Sequence, residues 1–432
     1  MMNTRRHRNA HLLAALLLAG TSLTAGCKKQ ARQPNNLPAA NLGSPVRVSS
    51  GDSDAAEPAV AAASAGSAYI VWVEHRGKEA DVMISHVDGQ GKLLGANVRV
   101  NPVAGQATAW RGDPPTVAVA QDQTVFVGWT PRVESEAGHA TDIFLSASHD
   151  RGQTFSAPVK VNDDPKPVGH GMHALAIAND GRIYLAWLDD RNVVEVPMKD
   201  MKMDGATKSA HTESNREVFM ASSNDGGRTF SVNQKVATNV CPCCKVALAT
   251  SSDGRVYVSW RQVLPGDFRH IAVASSTDHG QTFTTPVIVS DDRWVLTGCP
   301  VSGATLSIGT DGALQVLWYS EGQNGQTGLY WSASRDHGAT FGQRQLLAAG
   351  TMRGTPVLIG DGKALTAVWQ GLEKNNEGVV IARDFSGAAA PTGQVLATNG
   401  QLPAAIANHE RVFVAYIAKG TKGQDIWLVS VG

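Results

Sequence analysis

No charge of one sign prevails in this sequence: Lys plus Arg and Asp plus Glu both total 38. Without an overall field, bulk charge would hold neither nucleic acid nor an anionic membrane surface, so partners have to be read from local chemistry. A membrane-length apolar run is missing near the N-terminus as well, since the run from Leu12 to Leu18 is too short to span a bilayer as a permanent helix. Nor does the length suit one ordinary core. At 432 residues the chain fits a repeat architecture, in which each unit buries its apolar face on the next. Glycine is plentiful, at 44, and 10 tryptophans carry part of a small aromatic complement, which suits an all-β, turn-rich chain.

Arg5, Arg6 and Arg8 precede the short apolar run and Leu23-Thr24-Ala25-Gly26-Cys27 follows it, the three-part pattern of an export signal. The segment resembles a bacterial lipoprotein signal, in which cleavage falls before the cysteine and its thiol is acylated. Thr24 stands where leucine is commoner, and an ordinary secretory signal with an incidental cysteine is the other reading. Lys28 after the cysteine, rather than aspartate, implies by the same resemblance the outer membrane of a bacterial cell envelope. Residues 1–26 are therefore expected to be a lipoprotein signal peptide. Residues 27–44, rich in Gln, Asn, Pro and Ala, read as a flexible tether, and 45–432 as the folded part. Acylation of Cys27 would make the membrane a partner through the anchor.

Self-similarity is evident within the folded part. Ser148-His149-Asp150-Arg151-Gly152-Gln153-Thr154-Phe155 is matched, as S-x-D-x-G-x-T-F, at residues 223–230, 276–283 and 334–341. The short Asp side chain can accept backbone N–H bonds across a tight turn, Gly supplies positive φ, and the Phe can tuck between sheets. A second landmark recurs seven times, an alternating apolar strand ending in Trp72, Trp129, Trp187, Trp260, Trp318, Trp369 or Tyr416. Each follows a shorter apolar strand, often across an Asp-Gly turn such as Asp180-Gly181, Asp253-Gly254, Asp311-Gly312 or Asp361-Gly362. These octapeptides are similar to the Asp boxes of the sialidase-like (BNR-repeat) β-propellers, where the box lies between the outer two strands, away from the active face. The expected architecture is a single seven-bladed β-propeller of four-stranded antiparallel blades, with six blades as the fallback.

Closure of the ring follows from the chain ends. The last unit stops after its third strand, near Val431, while residues 45–49 look like an orphan fourth strand. The two ends should pair in one blade and remove the open sheet edge. Antiparallel order then places the boxes and Asp-Gly turns at the bottom, and the loops after each Trp strand with the interblade connectors at the top, where chemistry should sit.

The sialidase resemblance implies three arginines clamping a carboxylate, a Tyr nucleophile with a Glu partner, and an Asp acid. No Phe/Tyr-Arg-Ile-Pro stretch occurs, but Arg111, Arg261 and Arg353 lie at top positions, Asp113 could be the acid, and Tyr319 with Glu321 the nucleophile pair. Arginines in these loops also have nearby Asp residues to pair with. Removing Cys27 leaves Cys241, Cys243, Cys244 and Cys299, an even number in an oxidising compartment. Repeat alignment puts Cys241-Pro242 and Cys299-Pro300 at equivalent top positions of adjacent blades, so a disulfide staple such as Cys241 with Cys299 is one use. The other adds His170, Met172 and His173, with Met198, Met201, Met203 and His211 in the long loop after Trp187: thiolate, thioether and imidazole donors together suit copper as Cu(I). Cys-x-Cys-Cys is not a standard zinc spacing. The leading expectation is a monomeric, envelope-anchored propeller binding a glycan, another small ligand or a soft metal on the top face of blades 3–5. An exo-α-sialidase-type glycoside hydrolase is the alternative, and fold alone cannot choose.

Overall fold

The computed structural model describes residues 42–135, 140–195, 213–214, 216–296, 301–360, 365–373, 376–385, 392–409 and 411–432. Among these, the strands form seven antiparallel sheets on a four-strand plan. The innermost strands are Asp54–Ala62, Thr116–Val119, His170–Ile177, Ala247–Thr250, Ala304–Ile308, Met352–Gly360 and Gln401–Asn408. Each touches the next around the ring, and the first also touches the last. The expected seven-bladed propeller is the observed fold; the six-bladed fallback is not.

The second strands carry the aromatic signature. Val125–Trp129 is buried at every position, as is Ile183–Asp189, because a blade in a closed ring is covered on both faces by its neighbours. Trp72, Trp129, Trp187, Trp260 and Trp318 are among the largest fully buried side chains. Each apolar cluster joins strands of adjacent blades, as where Trp72 packs with Phe413, Ile426 and Leu428 across the closure. Blade 4 gains a short extra strand, Trp294–Val295, on Phe268–Ser276, and a two-residue ribbon pairs Val194–Glu195 with Glu213–Ser214 in the long loop of blade 3.

The chain ends meet as expected. Val46–Arg47 pairs with Gln424–Val431, matching Val46 to Leu428 and Arg47 to Trp427. Ser49 secures the join: its hydroxyl donates to Asp425 at 2.9 Å and accepts the Ile426 N–H at 3.1 Å. Pairing begins earlier in the chain than residue 45, with a bridge from Leu42 to Val431 and a Gly43 N–H bond to Ser430.

The octapeptide turns follow one geometry. Asp150 Oδ1 accepts the Ser148 hydroxyl (2.8 Å) and the Gln153 and Thr154 N–H groups (3.1 and 2.9 Å), and Oδ2 accepts the Thr154 hydroxyl at 2.6 Å. The same bonds to the Ser and Thr positions recur around Asp225, Asp278 and Asp336. Positive φ is not confined to the glycine: Arg151 and Gly152 are both left-handed, as are His279 with Gly280 and His337 with Gly338. Phe155, Phe230, Phe283 and Phe341 pack into the interblade clusters. All four turns join third to fourth strands, on the opposite rim from the interblade connectors.

Candidate functional site

The site is shaped by irregularities at the top of the inner strands. Bulges interrupt pairing between Ala56 and Ala59, Gly171 and Ala174, Arg353 and Val357, and Gln401 and Ala404, and the residues Glu57, Met172, Gly354 and Leu402 within them take positive φ. A bulge frees backbone N–H groups from the ladder, and buried ones need another acceptor. For Met172 a carboxylate of the preceding blade supplies it, Asp113 Oδ1 at 2.8 Å, and in the connector before Asp113 the Gly112 N–H likewise reaches Glu57 Oε1 at 3.3 Å. Glu57 is held in turn by His75, 2.7 Å away, with both side chains buried.

Asp113 is the chemically distinctive member. Its Oδ2 accepts the Thr130 hydroxyl at 3.1 Å, and burial pushes its carboxyl up to about 6 against the pull of the Met172 N–H and the Lys245 ammonium. Burial lowers Lys245 to about 8. His173 Nδ1 lies 3.9 Å from Asp113 Oδ1; burial and the Lys245 charge lower the imidazole to about 3, so it is neutral. A carboxyl, an imidazole and an ammonium, each displaced from its ordinary range, thus occupy the inner ends of blades 2, 3 and 4.

Above them opens a cavity of about 480 Å³ with Asp113, His170 and Met172 in its lining. Its remaining walls come from the loop after each Trp strand and from the connectors: Lys78, Trp110, Arg132, Asp190, Arg216 and Pro242. All are top-face segments, but of blades 1–4 rather than 3–5. Arg216 is engaged with Asp190 and with the Pro242 carbonyl. Lys78 and Arg132 are exposed and have no carboxylate partner among the described residues, and Trp110 is 55% exposed. Against three cations the lining sets two carboxylates, one of which, Asp113, is half-neutralised near pH 6.

The three arginines expected to form a clamp have separate partners. Arg111 pairs with Asp54 and Arg353 with Glu377, 3.3 Å away. Arg261 is 1% exposed, lies 4.7 Å over the Trp294 ring and donates to the carbonyls of Ser302 and Tyr319. No contact among the described residues joins any two of them, because each guanidinium is engaged within its own blade or the adjoining one. Tyr319 and Glu321 do meet, the phenol donating at 2.5 Å, but burial and the Glu321 charge drive the phenol pKa up, away from a nucleophilic phenolate. Asp113 stands three blades away from that pair.

The soft donors also divide. Cys241, Cys243 and Cys244 hold their sulfurs within 4.8 Å of one another. Cys243 is disulfide-bonded, whereas Cys241 and Cys244 are free thiols. A Cys241–Cys299 staple is therefore not the bond this fold makes: the disulfide starts one position beyond Pro242. Met172 is packed in an apolar interblade cluster. His170 faces carboxylates instead of sulfur. Its Nε2 is 2.9 Å from Asp164 and 3.5 Å from Asp189, its Nδ1 is 2.6 Å from the Thr141 carbonyl, and Arg191 joins the same two carboxylates. The Asp164, His170 and Asp189 ligand atoms lie within 4.8 Å of one another, a buried arrangement of metal-binding type, but Arg191 already supplies a cation there, and the oxygen-rich donors do not single out copper. His170 thus groups with two aspartates of its own blade and its connector, apart from the cysteine motif. Met198, Met201, Met203, His211, Cys299 and the acylation candidate Cys27 lie outside the described residues.

Comparison with known proteins adds the family. No curated protein matches the chain. A Dyadobacter fermentans protein of unknown function is similar at 15% identity, covering 91% of this chain and 99% of that one, with a TM-score of 0.53. A polysaccharide lyase, an ulvan lyase bound to its saccharide, is similar at 13% identity over 86% of this chain and 95% of that one, with a TM-score of 0.54. At these identities the likeness is one of fold. The model of the BNR repeat-like domain, by contrast, matches residues 101–354, more than half of the sequence, and the chain belongs to that family.

Proposed function

We propose that the cavity over Asp113 binds an anionic carbohydrate, in a protein carried on the bacterial cell envelope through an acylated Cys27. The observation that carries this reading is the placement of Lys78 and Arg132, both exposed and unpaired among the described residues, with the half-exposed Trp110 in one cavity wall. An indole face packs on the apolar face of a sugar ring, and unpaired cations meet carboxylate or sulfate groups. A volume of about 480 Å³ lies in the range of small-ligand sites. The envelope location draws on the N-terminal signal pattern and on the disulfide at Cys243, which belongs in an oxidising compartment.

Equilibrium titration with uronate- or sialate-containing oligosaccharides, against neutral analogues of the same length, tests the reading. Trp110→Ala and Arg132→Ala should each weaken the acidic ligand by about tenfold or more. Equal affinity for neutral and acidic sugars, or two variants that bind like wild type, would refute it. A hydrolase of sialidase type is a second reading, drawn from the Tyr319–Glu321 hydrogen bond. It requires turnover of a fluorogenic sialoside by wild type and loss of that turnover in Tyr319→Phe protein.

A further inference from the structure

The sugar site leaves the turn Cys241-Pro242-Cys243-Cys244 unused. Cys241 and Cys244 stand in Cys-x-x-Cys spacing, and the turn between them brings their free thiols to a sulfur–sulfur distance of 3.4 Å. Both are at most 2% exposed, and Pro242, between them, lines the cavity, so the pair lies directly behind its wall and meets a solute only when the Pro242 turn moves aside. Arg261 sits beside Cys244, and its Nη1 is buried without a hydrogen-bond acceptor. The hydrogen bond between the two sulfurs, the Arg261 charge and the Ser302 N–H pull the Cys244 thiol below its usual range, while Cys241 is pushed up. Two hydrogen-bonded thiols beside a guanidinium form the kind of pair that thiol–disulfide exchange uses. A metal ion between the two sulfurs would face the Arg261 guanidinium at close range, so the charge that favours the thiolate opposes a cation. Cys243, already disulfide-bonded, offers no third thiolate.

We propose that Cys241 and Cys244 form a redox-active dithiol that closes to an internal disulfide by exchange with a small-molecule disulfide. The Cys244 thiolate attacks one sulfur of the incoming disulfide, whose S–S bond breaks and releases one thiolate. Cys241 then passes its proton to that thiolate and attacks the Cys244 sulfur, expelling the second small thiolate. Two protein sulfurs are oxidised by two electrons, and one small disulfide is reduced to a thiol and a thiolate. The sulfurs have to approach from 3.4 Å to about 2.05 Å, a movement the short turn can absorb.

The test equilibrates the full chain in glutathione buffers of stepped oxidation ratio, alkylates the remaining thiols and maps linked peptides by mass spectrometry. Alkylation of Cys241 and Cys244 should disappear together, with the slope of a two-electron couple, as a Cys241–Cys244 link appears. In Cys241→Ser protein, Cys244 should stop at the glutathione mixed disulfide, since no second sulfur resolves it. Thiols that stay alkylatable across the whole range would overturn the proposal. So would glutathione accumulating on wild-type Cys244, or a new link from Cys244 to Cys243 in place of Cys241.

Discussion

Asp113 shows how a single side chain can be read correctly for position and wrongly for company. Its place in a top-face connector was legible, since Trp110-Arg111-Gly112-Asp113-Pro114 precedes an inner strand. Its hydrogen bond to Met172 in the next blade was not, because no local pattern encodes a bulge in a distant strand. The same holds for Arg261, whose sequence position after Trp260 suggested a ligand clamp, whereas the Trp294 ring and two carbonyls consume it. A pH prediction belongs to Asp113. A carboxyl raised from 3.8 to about 6 in the folded state binds its proton more tightly there than in the unfolded chain. Its stabilising contribution is therefore complete below the unfolded value and is lost as pH rises through the folded one, by about 3 kcal/mol at full ionisation. In urea titrations the wild type should lose roughly that much stability from pH 4 to pH 7 relative to Asp113→Asn, whose amide oxygen can still accept the Met172 N–H. Parallel pH profiles for the two proteins would show that Asp113 is not the buried acid described.

At the scale of elements, the repeat was readable because its turn chemistry is local. Ser, Asp, Gly, Thr and Phe sit within eight residues, and the bonds they form stay within the same turn. Asp278→Ala removes an acceptor that ties Ser276, Gln281 and Thr282 of one turn, and should lower the melting temperature by a few degrees without changing the far-ultraviolet circular dichroism. A contact between blades is less forgiving. A Cβ on Gly303 would meet the Lys245 carbonyl oxygen at 2.2 Å, just ahead of the inner strands of blades 4 and 5. Gly303→Ala should therefore destabilise by about 3 kcal/mol, more than loss of the turn Asp, as read from chemical unfolding midpoints. The expected disulfide use of this motif is present, but at another cysteine: repeat alignment suggested Cys241, whereas the turn after Pro242 presents Cys243 for bonding and leaves Cys241 and Cys244 as neighbouring thiols.

For the whole molecule, closure was the most legible feature, since the missing fourth strand of the last unit and the orphan strand at the start are complementary in the sequence itself. Removing Val46–Arg47 with the residues before it would leave Gln424–Val431 as an open edge. Such a truncated chain should melt earlier and sediment as oligomers, whereas wild type should remain monomeric. The ligand was the least legible, because the cavity draws short segments from four blades and no stretch of sequence unites Lys78, Trp110, Arg132 and Arg216. Hydrogen exchange followed by mass spectrometry, with and without an acidic oligosaccharide, addresses that assignment most directly. The account predicts slower exchange in the segments around Trp110, Arg132 and residues 169–172, with the octapeptide turns on the opposite rim unchanged. Protection confined to those turns, or no protection anywhere at saturating oligosaccharide, would contradict it.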